Sequence, residues 1–215
     1  MPHPWWPLFD LRITVGDLLL RPKTEADLLA IAETLPDDLE LNPDATTYPG
    51  LPDRVNRGVV MHQGYWSAWG SWSPQSWRLP FAVLDGDRLI GSQSLEGDDF
   101  PRLRVVDSSS YLLPDARGKG HGKAMRRAVL ALAFGELGAE VAITSAWHDN
   151  HASLGVSRAL GYEPNGETRH ARGDGVDRMV HLRLTRERWL AGELAEGITV
   201  AGFAPCRPYF GLDAA

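Results

Sequence analysis

One cysteine, no long apolar run and a deficit of positive charge mark this chain before any motif is considered, and each absence excludes a class of protein. Cys206 stands alone, which rules out an internal disulfide and a cysteine-built metal centre. No stretch comes near the ~20 consecutive apolar residues that a membrane-spanning helix needs. The opening MPHPWWPLFDLR has neither a basic segment nor an apolar run of leader length, so a cytoplasmic protein without membrane attachment is expected. Lys and Arg number 22 against 28 Asp and Glu, a net charge of -6. Phosphate contacts need cations, so nonspecific nucleic-acid binding is disfavoured and no nucleic-acid partner is expected. Internal repeats and low-complexity tracts are missing as well.

What is present is the composition of an ordinary globular protein, 43% hydrophobic and 23% charged. At 215 residues the chain exceeds the common domain size of ~100–150 residues, yet no linker interrupts it, so a single domain over residues 1–215 is expected. Residues 17–21 read as a strand, and Thr24 as the N-cap of a helix carrying Leu28, Leu29, Ile31 and Ala32. Residues 35–64 are rich in Pro, Asp, Asn and Gly, which predicts loops and short helices in a substrate-facing segment. Trp66, Trp69 and Trp72 then recur at a spacing that suits one face of a helix. They read either as core aromatics or as an aromatic wall around an acceptor pocket.

Two strand-like runs, 81–84 and 88–95, flank Asp85-Gly86-Asp87, a strong hairpin signal. A third strand over 103–113 would extend them into an antiparallel meander. The period then changes: Ala124, Met125, Ala128, Val129, Leu132, Ala133 and Leu137 recur at helical spacing up to Gly138. A strand at Val141–Trp147, a helix over 151–160 ending at Gly161, a strand over 178–184 and a helix capped by Thr185 complete the pattern. Strand, glycine loop, helix, strand makes a βαβ unit with parallel neighbours. The fold class is therefore α+β: a mostly antiparallel sheet with a central parallel pair, flanked by helices.

The loop Arg117-Gly118-Lys119-Gly120-His121-Gly122 opens the central helix. First-turn N–H groups lack intrahelical partners, so such a loop is a ready anion site. Spacing narrows the anion. The dinucleotide pattern G-x-G-x-x-G needs glycine where Lys123 stands, and the Walker pattern fails because Gly122-Lys123 is followed by Ala124. What fits is R-x-x-G-x-G, as Arg117, Gly120 and Gly122, at the start of a basic stretch with Lys119, His121, Lys123, Arg126 and Arg127. This segment resembles the pyrophosphate-binding motif of the GNAT superfamily of N-acetyltransferases. The layout over about 17–190 is similar to the branch that includes the ribosomal-protein N-terminal acetyltransferases. The segments PLFDLRIT and CRPYFG further resemble an actinobacterial subgroup that includes a mycobacterial succinyltransferase.

The resemblance implies that backbone N–H groups from Arg117 to Lys123 hold the pyrophosphate of coenzyme A, with acetyl-CoA or succinyl-CoA as co-substrate. It implies that the strand end at Tyr111-Leu112-Leu113 splays from its parallel neighbour and offers backbone groups, those of Leu112 and Leu113 among them, to the pantetheine arm and thioester. Asn150-His151-Ala152-Ser153 and Arg158-Ala159-Leu160-Gly161-Tyr162 resemble two further elements of the branch. There Asn150 would bond the pantetheine amides, and Ser153 would protonate the leaving thiolate. Asn150 also reads as a plain helix cap. Ser157 stands where many members carry a tyrosine acid, which puts a tyrosine mechanism in doubt.

A protonated amine must lose a proton before it attacks, and Glu96 and Asp107 are the candidate bases. Trp66, Trp69 and Trp72 are the candidate acceptor-binding residues. No metal is expected, since His148 and His151 lie in no recognised ligand register. Cys206 has no conspicuous base partner, so direct attack is expected rather than an acyl-cysteine. The acceptor is an amine of a protein or a small molecule, and a homodimer stays open. The competing expectation is a catalytically silent acyl-CoA-binding protein on the same fold.

Overall fold

The computed structural model describes residues 3–35, 46 and 48–212. Strands β1 (Arg12–Val15), β2 (Leu18–Pro22), β3 (Trp77–Asp85) and β4 (Arg88–Gly97) form an antiparallel run. Strands β5 (Val105–Asp107), β6 (Ser110–Leu112), β7 (Val141–Trp147), β8 (Glu163–Arg172), β9 (Gly175–Thr185) and β10 (Ile198–Ala201) complete one sheet. Its order is β10-β1-β2-β3-β4-β5-β7-β9-β8, with β6 also on β4. Every pairing is antiparallel except β5 with β7. The crossover between those two is helix α4 (His121–Ala131), as the βαβ pattern requires.

Local chemistry explains much of this. Asp85-Gly86-Asp87 turns β3 into β4 with Gly86 at φ 58, a left-handed conformation that glycine adopts without a Cβ clash. Helix α1 (Glu25–Glu33) starts in a full capping box: Asp27 N–H donates to Thr24 Oγ1 and Thr24 N–H to Asp27 Oδ2. Arg21 clamps the same carboxylate through two nitrogens at 2.6 and 2.7 Å, which holds Asp27 below the usual carboxylate range despite its burial. Leu20, Leu79, Phe81, Val83 and Leu95 from the sheet meet Met125, Val129, Leu132 and Phe134 on the inner face of α4 and its continuation. Each such side chain, fully buried, contributes about 1.5–3 kcal/mol.

Three expectations are corrected. The loops and short helices expected over 35–64 give way to an 18-residue helix, α2 (Asp53–Gly70), which carries Gly58 and Gly64 inside it; residues 36–45 and 47 of that stretch lie outside the described residues. Buried Asn56 explains its start, since its amide exchanges hydrogen bonds with Tyr48 and also donates to the Leu51 carbonyl. The single strand expected over 103–113 is instead a helical turn α3 (Phe100–Leu103), then β5, a break at Ser108 and Ser109, and β6. The strand β8 was not foreseen because it is a sheet edge with no buried residue, and so lacks apolar alternation. Past β7, helix α5 (His151–Ala159) and helix α6 (Arg186–Ala191) sit where the spacing puts them, and Thr185 Oγ1 accepts from Arg188 N–H.

Candidate functional site

Between β5 and β7 the sheet divides. Val105, Val106 and Asp107 pair in parallel with Val141, Ala142 and Ile143, and there the pairing ends. Beyond that point β6 stays with β4, while residues 144–147 stay with β9. The result is a fork whose vertex lies at Asp107 and Ile143. Leu113 N–H donates to Ile90 O, and Ser94 N–H donates to Ser109 O. Antiparallel alternation then turns the backbone groups of Ser108, Ser110 and Leu112 away from β4 and into the fork. Two of these carbonyls are already occupied: Ser108 O accepts from Thr144 Oγ1 at 3.3 Å and Leu112 O from Arg117 Nε at 3.0 Å. Of the two residues singled out on this strand, Leu112 thus directs its amide into the fork and Leu113 spends its amide on β4.

The glycine loop closes the wide end of the fork. A 3-10 turn at Pro114–Ala116 leads into it, tied to the start of β4 by an Arg88–Asp115 ion pair. Gly118 and Gly120 have φ of 74 and 84, where an L side chain is strained by ~1–2 kcal/mol, and a Cβ on either would point into open space. The backbone there is bare and approachable. Helix α4 begins at His121, so the N–H groups of His121 and Gly122 belong to its unsatisfied first turn at the positive end of the helix dipole. Lys119 and Lys123 are exposed beside them. Not all of the basic stretch joins them: Arg127 reaches back to the Leu194 and Glu196 carbonyls, and Arg126 is buried.

Asn150 caps α5, with Oδ1 accepting from Ser153 N–H at 3.0 Å. Ser153 lies in the first turn, part-exposed. Ser157 is fully buried and donates to Ser153 O, so its hydroxyl is committed within the helix.

Glu96 and Asp107 are register partners across β4 and β5. Glu96 is bonded to Arg78 Nε at 2.6 Å. Asp107 has no cation at ion-pair distance among the described residues. Burial pushes its carboxyl up to about 6, opposed by the Ser108 N–H it accepts at 2.6 Å, reinforced by Glu96, and opposed more weakly by Arg126 and Arg78.

The tryptophans divide. Trp69 and Trp72 stack at 5.9 Å inside an aromatic cluster with Trp6, Trp77 and Phe210, and Trp72 Nε1 donates to Tyr209 O, tying the segment after α2 to the C-terminal one. Trp72 lies past the end of α2. Trp66 is 56% exposed and lines an open groove of about 400 Å³ with Leu29, Val55, Val59 and His62. Cys206 is buried, and burial pushes its thiol up to about 11. His148, Asp149 and Asp177 converge at the end of β7, where Arg172 bridges both carboxylates at 3.0 and 2.8 Å.

Arg126, Thr144 and Tyr162, all buried at the fork, were not foreseen as site residues. A signal for Arg126 was present: it stands four residues after Gly122 and three before Val129, on the inner face of α4.

An acetyltransferase (GNAT) domain family matches residues 17–163. RimJ from Mycobacterium smegmatis, solved in complex with CoA-disulfide, is 16% identical, with 86% of this chain and 96% of that one covered at a TM-score of 0.65. A spermidine N-acetyltransferase chimera from Vibrio cholerae and hSSAT is 14% identical over 81% of this chain and 99% of its own, at 0.65. A GNAT-family acetyltransferase from Bacillus anthracis is 16% identical over 82% and 99%, at 0.60. At such identities these structures share the fold. With the family match spanning most of the sequence, and with the parallel pair and flanking helices in place, the chain belongs to the GNAT family of acetyltransferases.

Proposed function

We propose that this chain is an acyl-CoA-dependent N-acyltransferase, one GNAT unit over residues 1–215, that passes an acetyl group to a primary amine by direct attack in a ternary complex. The observation that carries this reading is the meeting of the forked strands with the glycine loop at the head of α4. A thioester carbonyl and a pyrophosphate need just these two things: amides aimed into a slot and a bare, positive helix start. The neighbour solved with CoA-disulfide supports coenzyme A as the ligand, and the spermidine enzyme supports an amine acceptor.

In this reading Gly118, Gly120, His121 and Gly122 present backbone N–H groups to the pyrophosphate, with Arg117, Lys119 and Lys123 adding charge; the Lys123 amide itself is spent on Gly120 O. Coenzyme A supplies the activated thioester. Leu112 N–H polarises the carbonyl oxygen, while Leu113 anchors the strand behind it. Asp107 accepts the proton that the attacking amine sheds, and Glu96, held by Arg78, keeps a second negative charge beside it. The amine nitrogen bonds to the carbonyl carbon, the carbon–sulfur bond breaks, and Ser153 relays a proton to the departing thiolate, its hydroxyl taking one from solvent as it gives its own. Asn150 fixes the helix start that carries Ser153 and faces the pantetheine amides. Trp66 and its groove offer an apolar approach for the acceptor, while Trp69 and Trp72 are taken up by the aromatic cluster. Succinyl-CoA as donor, a homodimeric assembly and a cytoplasmic location belong to the same proposal.

Release of free thiol tests it. Purified protein with acetyl-CoA or succinyl-CoA and a panel of amines (peptide N-termini, lysine peptides, polyamines) should liberate coenzyme A in step with acylated amine. Binding without release for any amine would favour the silent-binder reading.

A further inference from the structure

Arg126 is buried to 2% exposure on α4, a costly place for a permanent cation, yet no carboxylate lies within ion-pair distance of it among the described residues. One guanidinium nitrogen donates to Thr144 Oγ1 at 3.3 Å, and that hydroxyl donates to Ser108 O at 3.3 Å. The second bond spans the fork one residue past its vertex, where backbone pairing has just stopped, and the first ties it to α4. The chain Arg126–Thr144–Ser108 therefore takes the place of the next ladder bond and fixes the residue that follows Asp107. Among the described residues the Arg126 Nε and Ser108 Oγ are buried with no hydrogen-bond partner, and the buried Tyr162 hydroxyl lies beside both side chains. Burial keeps that hydroxyl in its protonated form against the pull of Arg126.

We propose that Arg126 is the positioning residue of this site: it clamps the vertex of the fork through Thr144 and places a fixed positive charge behind Asp107. The inference rests on Asp107 being the base. The groups facing Asp107 are Glu96 from β4, Arg78 from β3, Arg126 from α4 and Tyr162 from the segment after α5. Glu96 and Arg78 are tied to each other in their own ion pair. Of the two arginines that favour an ionised Asp107, Arg126 is therefore the one with no carboxylate partner among the described residues. A purely structural arginine would lack this electrostatic effect.

The test is the titration of the Asp107 carboxyl followed by carbon-13 NMR in the protein without ligand, with the resonance assigned by Asp107→Asn. Arg126→Met removes the charge at similar volume, and should move the midpoint upward by about one pH unit. Arg126→Lys should return it toward the wild-type value. If Arg126→Met does not fold, Arg126→Gln carries the same expectation. An unmoved midpoint in a folded neutral variant overturns the proposal. So does Arg126→Lys behaving like the neutral variants. The readout needs no turnover, so failure of the wild-type protein to bind acyl-CoA would defeat the functional reading while leaving this result to stand or fall separately. Where activity is measurable, the acid limb of kcat/KM should follow the same displacement.

Discussion

Glu96 and Asp107 face each other across β4 and β5 as register partners in different surroundings: one is paired with Arg78 at 2.6 Å, the other is half-buried with no ion-pair partner among the described residues. Two carboxylates with separated properties are what a base and its supporting charge require. Asp107, raised to about 6, is ionised at neutral pH and still basic enough to take a proton. The acid limb of kcat/KM should therefore fall near pH 6, with activity lost as pH drops below it. Asp107→Asn should lower turnover about 10²–10⁴-fold.

The same residue should trade stability for activity. A raised carboxyl contributes stability below its unfolded value near ~3.9 that is lost as pH rises through about 6. At pH 8 the ionised, half-buried Asp107 works against the fold. Urea unfolding of Asp107→Asn at pH 8 should show a gain of about 2 kcal/mol, shrinking toward zero at pH 4. Equal stability changes at both pH values would contradict the burial argument.

The glycine loop can be challenged in two degrees. Gly120 has φ 84 and open space around it, so alanine strains the backbone without blocking it. Gly120→Ala should weaken coenzyme A binding about tenfold, the equivalent of ~1.4 kcal/mol of strain. Gly120→Glu adds a like charge beside the phosphates and should abolish binding by calorimetry while the fold persists by circular dichroism.

Gly91 sets one arm of the fork. A Cβ there would run into the carbonyl of Tyr111 and the side chain of Leu112, so β6 lies against β4 only because residue 91 has none. Gly91→Val should destabilise the protein by about 1–3 kcal/mol. It should also cost coenzyme A affinity, because the displaced β6 carries the Leu112 amide. Unchanged affinity in folded protein would show that this arm does not hold the ligand.

Asn150 and Ser153 should separate cleanly. Asn150→Ala removes a cap and should cost about 1 kcal/mol of stability. Ser153→Ala keeps the backbone N–H that the cap uses, so stability and coenzyme A binding should survive while turnover falls about 10²-fold. Parallel losses of binding in both variants would argue against a proton-donor role for Ser153.

What was legible in the sequence was local. The Asp-Gly turn, the Thr24 and Thr185 caps, the strand at Val141–Trp147 and the helix ending before Gly161 each depend on neighbours a few residues away, and each stands where its residues put it. The break at Ser108 and Ser109 was not legible, because it is set by β4 holding β6 while β7 turns away with β9. Helix α2 hid behind Gly58 and Gly64, whose helical cost of ~1 kcal/mol each is outweighed by tertiary contacts. Arg126 hid inside a run of cations that reads as a phosphate-binding surface, and only its place on the inner face of α4 separates it from Lys119 and Lys123. The loop's spacing points to coenzyme A and carries no information on the amine.

The most direct measurement is the melting temperature of wild-type and Gly120→Glu protein with saturating acetyl-CoA. A ligand held only by the folded state at a concentration 100 times its Kd stabilises by ~2.7 kcal/mol, a rise of several degrees. The wild type should show that rise and Gly120→Glu should not. No rise in the wild type, or an equal rise in both, would contradict a coenzyme A site at the head of α4.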